Sequence, residues 1–234
     1  MLEAVVPLLS LVALEVILGI DNIIFISILA DRLPKQQQKK LRLWGLSLAM
    51  VMRLLLLGFL SWILKLDQTL FTFQDTAFTG KALILIAGGL FLLYKSTREI
   101  YHKTEVATEH ATPASAATNF MQLLGEVIVL DLVFSIDSII TAVGMVQELW
   151  VMYTAVVITV GIMLLAAGPI SNFIYRHPSF KILALCFLLM IGVALLADGL
   201  GFHIPKGYIY FAMAFAFLVD VIQLNTLGKK QSTH

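Results

Sequence analysis

Long apolar runs alternate with short polar stretches along all 234 residues of the chain. Seven runs stand out, at approximately 3–30, 43–64, 80–98, 119–145, 150–175, 181–200 and 206–226. Each is close to the ~20 residues that an α-helix needs to cross the hydrocarbon layer of a bilayer. Lipid offers the backbone no hydrogen-bond partner, so runs of this length are expected to be helical. Their Leu- and Ile-rich composition, without period-two alternation, argues against barrel strands. The pattern therefore predicts an all-α fold, a polytopic membrane bundle of seven transmembrane helices. Trp44, Trp62, Tyr94, Trp150, Tyr175, Tyr208 and Tyr210 lie at or close to the ends of the runs, where amphipathic rings favour the headgroup level.

The polar stretches orient the bundle. Arg32, Lys35, Lys39, Lys40 and Arg42 fill the first loop, Lys95, Arg98 and Lys103 follow the third run, Arg176 and Lys181 flank the fifth loop, and Lys229 and Lys230 close the tail. Together these are 12 of the 16 Lys and Arg residues. Cytoplasmic loops carry the excess of basic residues. The expected orientation has the amino terminus outside and the carboxyl terminus in the cytoplasm.

Composition agrees and excludes several classes. Charged residues make up 13% of the chain and mean hydropathy is +0.92, against about 25% charged residues in a soluble domain. A net charge of +1 gives no reason to expect a nucleic-acid partner. The single cysteine, Cys186, rules out a disulfide framework or a thiolate metal cluster. No phosphate-binding Gly-rich loop and no nucleophile–base pair is visible, so neither ATP use nor an enzyme is expected. The first run carries Glu15 and Asp21 and lacks a basic leader, so it reads as a retained span rather than a cleaved signal.

Residues 102–118 (HKTEVATEHATPASAAT) break the pattern. They are polar, Ala/Thr-rich and contain Pro113, and they read as a flexible cytoplasmic linker. His102, Glu105, Glu109 and His110 offer metal-binding atoms for a regulatory site, but a solvated loop is the simpler reading.

The chain repeats itself across that linker. LEVILGIDNIIFI begins at Leu14 and LDLVFSIDSIITA at Leu130. Glu15 matches Asp131, Asp21 matches Asp137, and Asn22 matches Ser138. Aligning Gly89 with Gly192 sets Lys95 opposite Asp198. The chain thus divides into a first three-helix repeat (1–101), the linker (102–118), a second three-helix repeat (119–200), and a seventh helix with a cytoplasmic tail (201–234). Three helices per unit is odd, so the two units enter the membrane in opposite directions, as in many secondary transporters. This symmetry predicts Glu15 level with Asp137, and Asp21 level with Asp131.

Four carboxylates in two spans carry a large solvation penalty unless a cation compensates them. Glu15 and Asn22 share one helical face with Gly19 between them, and Asp131, Ser135 and Ser138 form the matching face. Asp21 and Asp137 lie about 120° away on an ideal helix. The acids then serve two stacked sites, or the helices break near Gly19 and Ser135 and release backbone carbonyls; the break is the favoured expectation. Carboxylate, amide and hydroxyl oxygens are hard donors suited to manganese, magnesium or calcium. The expected metal ligands are Glu15, Asp21, Asn22, Asp131, Asp137 and Ser138. Arg53 is expected to pair with one of the acids, as a structural ion pair or as a stand-in cation. Asp220, with Gln223 and Asn225, extends the pathway or sits at the cytoplasmic interface. Asp198, near a span end, reads as solvated. Gly88, Gly89 and Gly192 read as packing residues.

These segments resemble a known family. EVILGIDNIIFISILADRLP at 15–34 and DLVFSIDSIITAVGM at 131–145 are similar to the two signature segments of the TerC family. MVMRLLLL at 50–57 and HIPKGYIYFAM at 203–213 resemble its short inner-membrane YgdQ-type members. The resemblance spans nearly the whole chain. It implies a multi-spanning membrane protein of a family named for tellurium resistance, some members of which are implicated in manganese export and in metal supply to secreted enzymes. The function implied is export of a divalent cation, Mn2+ above others, as transported substrate rather than tightly bound cofactor. The carboxylates can titrate, which offers proton exchange as one coupling, without fixing the coupling ion. The rivals are a membrane scaffold for metal delivery or protein assembly and an exporter of a small organic cation. The partners expected are the lipid bilayer and the cation; oligomeric state is not indicated.

Overall fold

The computed structural model describes residues 2–73, 76–104, 119–146 and 148–231. It is a helical bundle: α1 (Leu2–Ala30), α2 (Lys35–Gly58), a short α3 (Leu60–Ile63), α4 (Gly80–Thr104), α5 (Phe120–Met145), α6 (Leu149–Arg176), α7 (Pro178–Gly199) and α8 (Lys206–Gln231). Six helices are long and apolar enough to span a membrane, and α8 contributes a shorter apolar stretch, Gly207–Gln223. The seven expected spans therefore each correspond to a helix. The segment assigned to the linker lies mostly outside the described residues.

Two boundaries differ from the sequence reading. Apolarity placed the second span at 43–64, but α2 starts at Lys35 and ends at Gly58. Its first turns, KQQQKKLR, are good helix formers that continue the helix beyond the apolar stretch. Between α3 and α4 the chain makes a small antiparallel hairpin, β1 (Thr69–Phe73) with β2 (Thr76–Thr79). Phe71 stacks on Phe78 there at 5.2 Å.

Local chemistry sets other ends. The Asn119 side chain accepts a hydrogen bond from the Met121 amide, capping α5. Pro178 occupies the first turn of α7, where its missing N–H is not needed. Gly201 adopts φ 87° just past α7 and turns the chain toward α8.

The outer surface is apolar: Val6, Leu9, Leu55, Leu165, Phe211 and Phe215 are all exposed. Such a surface suits lipid and not water. Inside, α1 packs along α6, α5 along α2, α2 against α6, and α4 against α7, with α8 joined to α7. At the α4–α7 crossing the backbones nearly touch. A Cβ added to Gly89 meets the Gly192 carbonyl oxygen at 2.7 Å, and one added to Gly192 meets the Gly89 oxygen at 3.1 Å. Gly88 likewise leaves room for Val133, 2.5 Å from its added Cβ. These glycines serve packing, as the sequence suggested.

The core has two apolar clusters. One includes Phe25, Leu29, Leu41, Leu46, Leu123 and Leu188. The other includes Leu11, Leu57, Ile63, Ile139, Val151 and Val156. On α1, α2 and α5, Glu15, Arg53 and Ser135 fall between residues of the two clusters. A polar layer thus separates them.

Candidate cation site

Arg53 organises the polar layer. It projects from α2, 3% exposed. Its Nη1 donates to Glu15 Oε2 at 2.5 Å, and its Nη2 donates to Asp131 Oδ1 at 2.9 Å. The Asn22 amide nitrogen also donates to Asp131 Oδ1, at 3.1 Å, and Ser135 Oγ donates to Asp131 Oδ2, at 3.1 Å. Asp131 therefore accepts three hydrogen bonds, which compensate its burial. One cation pairs two acids, where the sequence reading expected one.

One expectation is corrected. Arg53 joins Glu15 to Asp131, and Asn22, the neighbour of Asp21, also bonds Asp131. The helices do not break. α1 and α5 run unbroken past Gly19 and Ser135. Gly19 instead makes room for α6, since an added Cβ lies 2.7 Å from Met163 Sδ. Ser135 spends its hydroxyl on Asp131, one turn back.

Asp21 and Asp137 stand apart from the Arg53 pair. Asp21 is 5% exposed, and its carboxylate has no hydrogen bond or ion pair among the described residues. It lines a small cavity of about 30 Å³ together with Arg53, Ser138, Asp198 and Tyr210. Asp137 lines a larger cavity of about 650 Å³ with Lys81, Thr141, Asp198, His203 and Tyr210. Lys81 Nζ lies 3.7 Å from Asp137 Oδ1. Ser138 Oγ bonds the Ser135 carbonyl at 3.2 Å. Among the described residues, no group of three or more His, Cys, Asp or Glu side chains is placed to hold one metal ion. The six expected ligands thus divide: Glu15 and Asp131 hold Arg53, with Asn22 bonded to Asp131, Asp21 and Ser138 share the small cavity, and Asp137 lines the large one. Asp220 lines neither cavity.

The large cavity lies toward the end of the bundle that carries the hairpin and the α7–α8 turn, with Thr79 and exposed His203 on its wall. The opposite end is tied by ion pairs. Asp31 pairs with Lys181, Arg32 with Glu99, and Lys95 with Glu126 at 2.5 Å. Arg42 adds a hydrogen bond to Ser171 at 2.7 Å.

Two residues of these cavities escaped the sequence reading. Asp198 looked like a solvated span end, yet its side chain is only 10% exposed. Tyr210 looked like an interfacial aromatic, yet it lines both cavities. Their alignment and spacing carried no signal beyond the pairing of Asp198 with Lys95 in the repeat.

A bundle of membrane-length helices with buried acids around an arginine and internal cavities is the architecture of a multi-pass membrane protein with a polar interior. The chain belongs to the TerC family of integral membrane proteins, which it matches over residues 1–233. It is 49% identical to the UPF0053 inner membrane protein YoaE of Escherichia coli (strain K12) over 92% of its own length, but it spans only 41% of that protein. It is 49% identical to a UPF0053 protein of Haemophilus influenzae, covering 95% of this chain and 94% of that one. It is 44% identical to the inner membrane protein YgdQ of Escherichia coli (strain K12), covering 92% and 90%. No solved structure matches.

Proposed function

We propose that this protein is a secondary exporter of a divalent cation, Mn2+ before others, with Asp21 at the centre of the binding site. The observation that carries the reading is the Asp21 carboxylate itself. It is buried, it has no hydrogen bond or ion pair among the described residues, and it lines a cavity with Ser138, Asp198, Tyr210 and Arg53, whose two terminal nitrogens are taken up by Glu15 and Asp131. A buried carboxylate without a cation is costly, so the cavity favours a positive guest. Hard oxygen donors favour manganese, magnesium or calcium over soft metals. Size narrows the guest further. A water needs roughly 10–15 Å³ of such volume, so about 30 Å³ suits a small dehydrated ion better than an organic ammonium.

The basic loops support a cytoplasmic ion-paired end, with the larger cavity outside. In this reading the conformation faces outward. Asp31–Lys181, Arg32–Glu99 and Lys95–Glu126 close the inner side, and Arg53 holds Glu15 and Asp131 together. The inverted repeat supplies a route to the alternate state. Its support is the packing pattern: α1 on α6 is matched by α5 on α2, while α4–α7 and α2–α6 are pairs of matching helices. Gly89 and Gly192, aligned in the repeat, also touch reciprocally.

The test is intracellular manganese in cells expressing the wild type, Asp21→Asn or Asp137→Asn at equal membrane abundance. Export predicts less manganese with the wild type than with either variant. Equal levels in all three would end the proposal.

A further inference from the structure

The geometry points to Asp198 as a third acid of the cation path, a subsite that passes a hard divalent cation between the outer cavity and the Asp21 pocket. The inference rests on the transport reading above. Asp198 lies in the last turn of α7, where a carboxylate opposes the helix dipole and gains nothing from it. Its side chain is 10% exposed, and its Oδ1 is buried without a hydrogen bond. The nearest basic side chain among the described residues is the His203 imidazole, with Nδ1 at 3.2 Å in a contact that lacks hydrogen-bond alignment, on a side chain that is 83% exposed. Nothing there explains the burial of an acid.

Position supplies the explanation. Asp198, Leu18 and Tyr210 are the residues that line both cavities. Asp198 is the one carboxylate of the three, with Asp137 on the outer side and Asp21 on the inner. Of the residues shared by the two cavities Asp198 is the charged one; Lys81 lines the outer cavity beside Asp137, and Arg53 lines the inner one but is held by Glu15 and Asp131. Tyr210 supplies a neutral oxygen beside it. The aligned position in the first repeat makes the contrast: Lys95 sits there, buried, and pairs with Glu126 at 2.5 Å at the opposite end. One end carries a lysine that ties helices together, and the other carries an acid open to a cavity.

The test uses purified full-length protein, with Mn2+ as the probe, measuring Mn2+ binding by electron paramagnetic resonance and Mn2+ flux in proteoliposomes. Asp198→Asn is expected to keep the thermal unfolding midpoint of the wild type while lowering flux at least about tenfold, and Asp198→Glu to recover part of it. His203→Ala removes the neighbouring imidazole and leaves the acid, so binding and flux should persist. Wild-type flux from Asp198→Asn, while Asp21→Asn is inactive, overturns the Asp198 subsite and leaves the transport reading standing. Loss of flux in His203→Ala equal to that in Asp198→Asn, with the fold intact, also overturns it, since the ion pair would then be the functional unit. No Mn2+ binding by the wild type sinks both.

Discussion

Glu15 on α1 and Asp131 on α5, matching residues of the internal repeat, share the two terminal nitrogens of Arg53 at 2.5 and 2.9 Å. All three side chains are at most 5% exposed. The triad joins α1, α2 and α5 at the level where the two apolar clusters meet.

Removing the shared cation should therefore be worse than removing either acid. Arg53→Gln leaves two buried acids uncompensated and is expected to cost about 3–5 kcal/mol, enough to aggregate the protein in detergent. Glu15→Gln leaves Asp131 and Arg53 paired and should cost less. Adding Glu15→Gln and Asp131→Asn to Arg53→Gln should restore much of the loss. Unfolding midpoints in detergent check the order; an Arg53→Gln variant as stable as Glu15→Gln contradicts it.

Asp21 should behave in the opposite way. Among the described residues it has no partner to strand, so Asp21→Asn removes a buried acid and should leave stability unchanged or raise it by ~1–2 kcal/mol. The same change should abolish Mn2+ binding. Thermal unfolding and Mn2+ titration on one sample separate the two effects, and a destabilised Asp21→Asn would argue for a structural role.

The α4–α7 crossing gives a steric prediction. Gly89→Val places carbon against the Gly192 carbonyl oxygen and Leu196 backbone, which cannot swing aside. The expected cost is about 2–3 kcal/mol of overpacking, with lowered membrane abundance. Gly125→Ala and Gly144→Ala are the controls, since a Cβ at either meets nothing within 4 Å. They should match the wild type on size-exclusion chromatography.

Much of this was legible in the chain and some was not. Helix number and order followed from the lengths of the apolar runs, because lipid leaves a long apolar segment no other way to satisfy its backbone. The hairpin at 69–79 was missed, since TLFTF and TAFT are too short to rise above a loop, although Phe71 and Phe78 alternate with Thr as strands require. The acids were found by type and spacing. Their partners were not, because the choice of Glu15 and Asp131 by Arg53 depends on how α1, α2 and α5 meet. Asp198 was misread for the same reason: nearness to a span end says nothing about the cavity beside it.

The ion pairs at the loop-rich end predict a gate. Ser96 on α4 is 1% exposed. In a Cys186→Ser background, Ser96→Cys should resist membrane-permeant thiol reagents. Lys181→Glu breaks the tie to Asp31 and should speed labelling roughly five- to tenfold, a coupling of about 1–1.4 kcal/mol. Asp31→Lys combined with Lys181→Glu should restore protection. Labelling that does not speed up with Lys181→Glu contradicts closure at this end.

The most direct measurement is Mn2+ flux into liposomes containing only the purified protein, read with a trapped fluorescent chelator. The wild type should carry Mn2+ down its gradient, and Asp21→Asn, equally folded, should fall to the rate of empty liposomes. Wild-type liposomes no faster than empty ones, or Asp21→Asn as fast as the wild type, would contradict the account.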